Sequence, residues 1–244
     1  AGFPDGVVNI VPGFGETAGA ALSEHPDVDK VAFTGSTEVG KIILRAASGN
    51  LKKVSLELGG KAPNIVFSDA DLGAAVAGAA MGIFFNQGQV CCAGSRLYVE
   101  KKCFDNVVGP LADAASKMKI APGMDPTCEM GPLVSKEQHD RVIGMVAKGL
   151  QDGATAATGG AKVDGPGYFY KPTVLVNTRN DMQVVREEIF GPVVVATPFE
   201  DVNELARVAN DTPYGLSAGV WTSNITKAHQ MAAKLKAGTV WINC

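Results

Sequence analysis

The 244-residue sequence is poor in the residues from which several kinds of site are built. It has three histidines, His25, His139 and His229, and they are scattered, so no metal site is expected. It has five cysteines at 91, 92, 103, 128 and 244, an odd count with no regular spacing and no C-x-x-C. That excludes a disulfide framework and fits a reducing, cytoplasm-like compartment. Charge of one sign is not in excess: 22 basic against 25 acidic residues give a net charge of −3. Without a basic run, nucleic acid is not an expected partner. Long apolar runs are lacking too. The longest, Leu72 to Phe85, is rich in Gly and Ala and falls short of the roughly 18–20 residues of a membrane span. It reads as a buried helix, and no membrane partner is expected. A signal-peptide pattern and an initiator Met are both missing. The chain opens on the turn-like "AGFPDG" and stops just after the apolar "TVWIN", so both ends are expected to be cut from something longer.

What is present is an ordinary globular composition, 46% apolar and 19% charged, enough for a sizeable core. The pattern alternates strands and helices. "VVNIV" (7–11) reads as a short strand, followed by the glycine-rich turn "PGFGETAG" and a helix. "VDKVAFTG" (28–35) reads as a second strand. "STEVGKIILRAA" (36–47) reads as a helix with apolar positions at 39, 42, 43 and 46. Ser36 or Thr37 is its natural N-cap, with Glu38 favourable in the first turn. "KVSLEL" (53–58) closes a β-α-β-α-β rhythm, the signature of a parallel sheet. "GGKAPN" (59–64) breaks the composition and marks an expected domain boundary, dividing 1–58 from 59–244. Beyond it α/β alternation continues: strands at 65–67, 95–101, "GPVVVATPF", "SAGVWTS" and "TVWIN", with helices at 71–85, 103–118, 134–151, 201–210 and 225–236.

Four features could carry chemistry, and each has a plainer reading beside it. "GFGETAG" is one residue off a G-x-G-x-x-G fingerprint and reads equally as a tight turn. "FTGSTEVG" lies between a strand and a capped helix. Free N–H groups and the helix dipole there suit a pyrophosphate, although a capped helix needs no ligand. Glu57 sits in the otherwise apolar "VSLELGG", either as a solvated strand end or as a general base. The adjacent Cys91 and Cys92 lie in "NQGQVCCAGSR", between Gly88 and Gly94. Most cysteines are small buried residues. A glycine-rich loop can nonetheless present backbone N–H groups to a thiolate and then to an oxyanion.

Taken in order, "FTGSTEVGK", "LELGGKAPNIVFSDADL", "FFNQGQVCCAGSR" and "EEIFGPV" resemble four signatures of the aldehyde dehydrogenase superfamily. The resemblance runs over the whole chain and is nearest to the broad-specificity NAD-dependent branch that includes cytosolic and mitochondrial enzymes. It implies an α/β fold: part of a parallel-sheet dinucleotide-binding domain, then a catalytic α/β domain truncated at its C-terminus. It implies Cys91 as nucleophile and Glu57 as general base. The implied substrate passage is lined by Phe85, Val90 and Cys92. For the cofactor, the segment Gly35, Ser36, Thr37, Glu38, Val39 and Gly40 matches the helix start that contacts the pyrophosphate, with Ser36 as the direct contact. The Leu58 backbone faces the carboxamide, Glu188 holds the nicotinamide ribose, Gln138 reaches that ribose, and Phe190 packs near the nicotinamide.

The implied reaction is oxidation of a small-molecule aldehyde to a carboxylic acid. It passes through a Cys91 thiohemiacetal and a thioester that Glu57 helps to hydrolyse. NAD is the implied cofactor, with NADP left open, because the position that sorts the two lies in a part of the family absent here. A homo-oligomer, dimer or tetramer, and a cytoplasmic location are implied as well. Two other readings stand beside it: a non-catalytic, crystallin-like structural protein or inactive fragment on the same fold, and a thiol redox protein using Cys91 and Cys92. Intact Cys91 and Glu57 argue against the former, and the lack of a resolving cysteine against the latter.

Overall fold

In the computed structural model, residues 2–244 are described, and the chain divides into two units, Ala1–Gly59 and Gly60–Cys244. The first unit is built on a right-sized crossover. Strand β1 (Lys30–Thr34) and strand β2 (Lys53–Glu57) pair in parallel, from Lys30 opposite Lys53 to Thr34 opposite Glu57. A parallel pair needs a long connection. An earlier helix, α1 (Ala20–Glu24), precedes β1, and the connection itself is supplied by α2 (Thr37–Ala47). Ser36 caps α2: its Oγ accepts from Val39 N at 3.2 Å, and Glu38 in the first turn complements the helix dipole. The buried face is Gly40, Ile43 and Ala47. Of the apolar positions expected to face inward, Val39 and Ile42 are instead exposed. Gly40 permits the close approach, since a Cβ there would lie 2.6 Å from Leu58 Cδ2. Lys52 is buried and donates from Nζ to Ser23 O and His25 O, fastening the end of α1.

Two expectations are corrected in this unit. Residues 7–11 form no strand, because a strand exists only through a ladder partner and none of the described residues pairs with them. Their apolar side chains are exposed, Ile10 at 88%. The β-α-β-α-β rhythm therefore reduces to two strands here. "PGFGETAG" is turn-like only at its start: Gly15–Gly19 forms a π-helical turn running into α1.

The second unit is a seven-stranded sheet. In chain order its strands are β3 (Pro63–Val66), β4 (Arg96–Glu100), β5 (Thr155–Thr158), β6 (Thr173–Val176), β7 (Val193–Phe199), β8 (Ser217–Trp221) and β9 (Thr239–Ile242). In space they run β5-β6-β7-β4-β3-β8-β9, all parallel except the edge strand β5. The short strands β5 and β6 did not stand out from the sequence. The helices are α3 (Leu72–Phe84), α4 (Phe104–Lys117), α5 (Lys136–Gln151), α6 (Gln183–Arg186), α7 (Val202–Ala209) and α8 (Ile225–Lys234). Asp71, Ser135, Asp201 and Asn224 cap α3, α5, α7 and α8.

The central strands are buried on both faces, as helix-covered parallel sheets require. Alternate side chains go to opposite cores. Val66, Leu97 and Val99 pack with α3 and α4, whereas Ile65 and Tyr98 pack with α7 and α8. On β7, Val193 and Val195 join a third core with α5 and α6. Each fully buried aliphatic side chain of this kind contributes roughly 1.5–3 kcal/mol. Among the described residues no helix is long and apolar enough to cross a membrane.

Candidate active site

The sheet order brings together segments far apart in sequence. β7, β4 and β3 are neighbours and parallel, so their amino ends share one edge. Gly60 and Lys61 lead into β3, the Cys91–Cys92 loop leads into β4, and Glu188 and Phe190 lead into β7. The result is a cluster at the amino ends of three strands.

The cysteine loop is held in an unusual backbone. Asn86, Gln87 and Gly88 all have positive φ, at 48°, 56° and 68°. A left-handed conformation costs an ordinary residue roughly 1–2 kcal/mol, so the surrounding bonds must over-determine it. Asn86 Nδ2 donates to Gln89 O, Gln89 N donates to Asn86 O, and Gln89 Oε1 accepts from Val134 N at 3.0 Å. Gly88 is forced: a Cβ there would lie 2.1 Å from Gly191 O. Beyond the cysteines, Ala93 N donates to Val90 O and Gly94 N to Gly82 O.

Cys91 and Cys92 are both half-buried and free. The N–H groups of both lack an acceptor among the described residues, so the loop keeps two donors in reserve. Burial, and next the neighbouring Cys91, push the Cys92 thiol above its ordinary pKa, which leaves it less thiolate at neutral pH. The two side chains also differ in surroundings. Cys92 lines a crevice with Asn64, Trp221 and Trp241, while its O accepts from Ser217 Oγ. Val90 lines a different crevice, shared with Gly60, Glu188 and Phe190. Phe85, at the foot of the loop, is exposed.

Gly60 is the keystone of the cluster. A Cβ at this position would lie 2.1 Å from Cys91 O. Its N–H donates to Glu188 Oε1 at 3.0 Å. Glu188 is half-buried, and burial raises its carboxyl pKa, partly offset by the Gly60 N–H, Lys61 and Arg141. Its Oε2 has no partner among the described residues. Its backbone is fixed as well, with O accepting from Arg141 Nη2 at 2.7 Å and N donating to Tyr214 Oη. Phe190 has a positive φ of 56°. Gln138, expected at a ribose, spends its amide on that turn: Nε2 donates to Ile189 O at 2.9 Å and Phe190 O at 2.7 Å.

In the first unit, Glu57 closes β2 and is exposed, and its O accepts from Gly35 N at 3.0 Å. That bond starts the turn Gly35–Ser36 into α2. Leu58 is half-buried against Gly40. Thr37, Glu38 and Val39 form the first helical turn, with Val39 N taken by Ser36 Oγ. Among the described residues no group of three or more His, Cys, Asp or Glu side chains could hold a metal ion.

Sequence reasoning missed Gly60 and Lys61. The signal was the run "GGK" directly after Leu58, where Gly60 marks a close backbone approach rather than only a break between domains.

A free thiol with unpaired loop amides, in the same cluster of strand ends as a carboxylate held by backbone, defines the class: a thiol-bearing α/β protein. Comparison narrows this. The chain matches the Aldehyde dehydrogenase family over residues 1–244. It is 52% identical to "Aldehyde dehydrogenase" of Emericella nidulans and 49% identical to "Aldehyde dehydrogenase, cytosolic 1" of Rattus norvegicus, covering 100% of this chain and 49% of each relative. The structure of an aldehyde dehydrogenase from Bacillus cereus, solved as its NAD+ complex, superposes with a TM-score of 0.97 at 55% identity, over 99% of this chain and 49% of that one. The chain belongs to the aldehyde dehydrogenase family, and it spans about half the length of the curated relatives it matches.

Proposed function

We propose that this chain carries the thiol, the general base and part of the cofactor site of an NAD-dependent aldehyde dehydrogenase. The observation that carries the reading is the Cys91 loop: a half-buried free thiol, two unengaged N–H donors, and a backbone braced by Gly60 and Gly88. The first unit is assigned to dinucleotide binding and the second to catalysis.

The residues fit the cofactor by their chemistry. The first turn of α2 offers N–H groups and the positive end of a helix dipole, which suit a pyrophosphate beside Ser36. The Glu188 carboxylate keeps one oxygen free for a hydroxyl donor such as a ribose. Gln138 shapes the Phe190 turn through Nε2, and its Oε1, which has no partner among the described residues, is assigned to that ribose. NAD, when bound, supplies the hydride acceptor.

Cys91 as thiolate attacks the aldehyde carbonyl carbon. The carbon–sulfur bond forms, the π pair moves to oxygen, and the Cys91 N–H stabilises that oxyanion. Collapse of the oxyanion with loss of hydride leaves a thioester on Sγ. Glu57 takes a proton from water, the hydroxide adds to the thioester carbon, and the carboxylic acid departs as the thiolate is restored. Cys92, with its raised pKa and its separate crevice, is a wall residue. Phe85 and Val90 complete the assigned passage. A small-molecule aldehyde is the proposed substrate, in a homo-oligomer working in a reducing, cytoplasmic compartment.

The test uses the full-length protein. Cys91→Ala should abolish NADH formation from an aldehyde panel, and Cys92→Ala should retain most of it. Wild-type protein that forms no NADH with any aldehyde would leave the structural, crystallin-like reading in its place.

A further inference from the structure

Lys61 is fully buried, only 2% exposed. A lysine is seldom placed so deep without a carboxylate partner. Here the head group's acceptor is a carbonyl: Nζ donates to Val184 O at 2.9 Å. Val184 lies on α6, a single helical turn that ends at Arg186, two residues before Glu188. The main chain next to Lys61 grips the other end of the same segment, through Gly60 N and Glu188 Oε1 at 3.0 Å. Lys61 O in turn accepts from Arg96 Nε at 2.8 Å, which locks the strut to β4.

We propose that Lys61 is a positioning residue for the cofactor ribose: its ammonium and the adjoining Gly60 amide brace both ends of segment 184–188, so Lys61 sets where the Glu188 carboxylate stands. This rests on Glu188 being the nicotinamide-ribose ligand. Lys61 touches neither substrate nor cofactor and acts through Glu188. The charged groups facing it are Arg96 on β4, Arg141 on α5, and Glu187 and Glu188 after α6. Burial, and then Arg96, lower its pKa from 10.5 to about 7, with Glu188 opposing. The strut therefore loses its charge as pH rises through about 7.

The experiment measures NAD dissociation constants by calorimetry on full-length wild type, Lys61→Met, Glu188→Gln and the double variant. Lys61→Met keeps the apolar stem and removes the head. It should weaken NAD about tenfold or more, the scale of one hydrogen bond to a charged group, with the aldehyde KM little changed. Lys61→Arg should recover part of the loss. Because Lys61 works through Glu188, the double variant should bind no more weakly than Glu188→Gln alone. In wild type, the dissociation constant should rise as pH passes through about 7, and Glu188→Gln should flatten that rise.

An unchanged constant in Lys61→Met, or losses that multiply in the double variant, would overturn the proposal while leaving the enzyme reading intact. Wild-type affinity in Glu188→Gln would overturn it together with the ribose assignment. Should Lys61→Met fail to fold, Lys61→Gln, alone and combined with Glu188→Gln, takes its place: an NAD dissociation constant unchanged by Lys61→Gln refutes the strut.

Discussion

Gly60→Ala, made in the full-length protein, adds one carbon where the structure has no room. An ideal Cβ lies 2.1 Å from Cys91 O, against about 3.4 Å for ordinary contact, so the two backbones must part by about 1.3 Å. The obstacle is backbone, which cannot swing aside as a flexible side-chain tip can. Overpacking of this kind costs roughly 1–3 kcal/mol of stability. The functional cost is of similar size but separate, because a misplacement of about 1 Å in a reacting group lowers rates by about 10²-fold. The same shift disturbs the Gly60 N–H bond to Glu188, so NAD affinity should fall with turnover. Steady-state NADH formation and a thermal melt, measured on the same preparation, separate the two effects. The expected result is a folded protein, melting somewhat lower, with kcat down by about two orders of magnitude. A Gly60→Ala protein with turnover within about threefold of wild type would refute the coupling of Gly60 packing on the Cys91 loop to the chemistry, since about 10²-fold is the expected scale.

Three further expectations can be checked together. Glu57→Gln should slow steady-state turnover by about 10²-fold or more while sparing a pre-steady-state burst of NADH; loss of the burst would move Glu57 to an earlier step. Lys61 binds a proton in the unfolded chain up to about pH 10.5 but in the folded protein only up to about 7, so stability should rise with pH across that window. The displacement corresponds to a burden on the order of 5 kcal/mol at and below neutral pH, and Lys61→Met should flatten that slope in denaturant titrations. Phe3, Val8, Ile10, Val11 and Phe14 are each at least 66% exposed, so these 244 residues produced alone should bind a hydrophobic dye and aggregate; a soluble, cooperatively unfolding, dye-negative monomer would contradict this.

The elements with their own local signals were legible in the sequence. Ser36 and the period of 36–47 announce α2, and the continuous apolar runs at 97–99 and 193–196 announce buried parallel strands. Residues 7–11 carry the same apolar signal as a strand, but a strand is completed by its neighbour, which periodicity does not report. "TAAT" and "TVLV", the four-residue strands β5 and β6, are too short for a period to show. Cys91, Glu57 and Glu188 were named from motifs, whereas the bonds that place Glu188 were hidden. Gly60 and Lys61 read as a composition break because their partners, Cys91, Val184 and Glu188, lie 31 to 128 residues away and meet them only through the strand order. Gln138 shows the converse: its position was found, but its amide holds backbone carbonyls that no spacing could reveal.

The most direct measurement traps the covalent intermediate. Full-length Glu57→Gln protein is mixed with NAD and an aldehyde, quenched in acid, digested and mapped by mass spectrometry. The acyl group should sit on the peptide carrying "NQGQVCCAGSR", and fragmentation should place it on Cys91 Sγ. An acyl group on Cys92, or no acylated peptide despite a burst of NADH, would contradict Cys91 as the nucleophile.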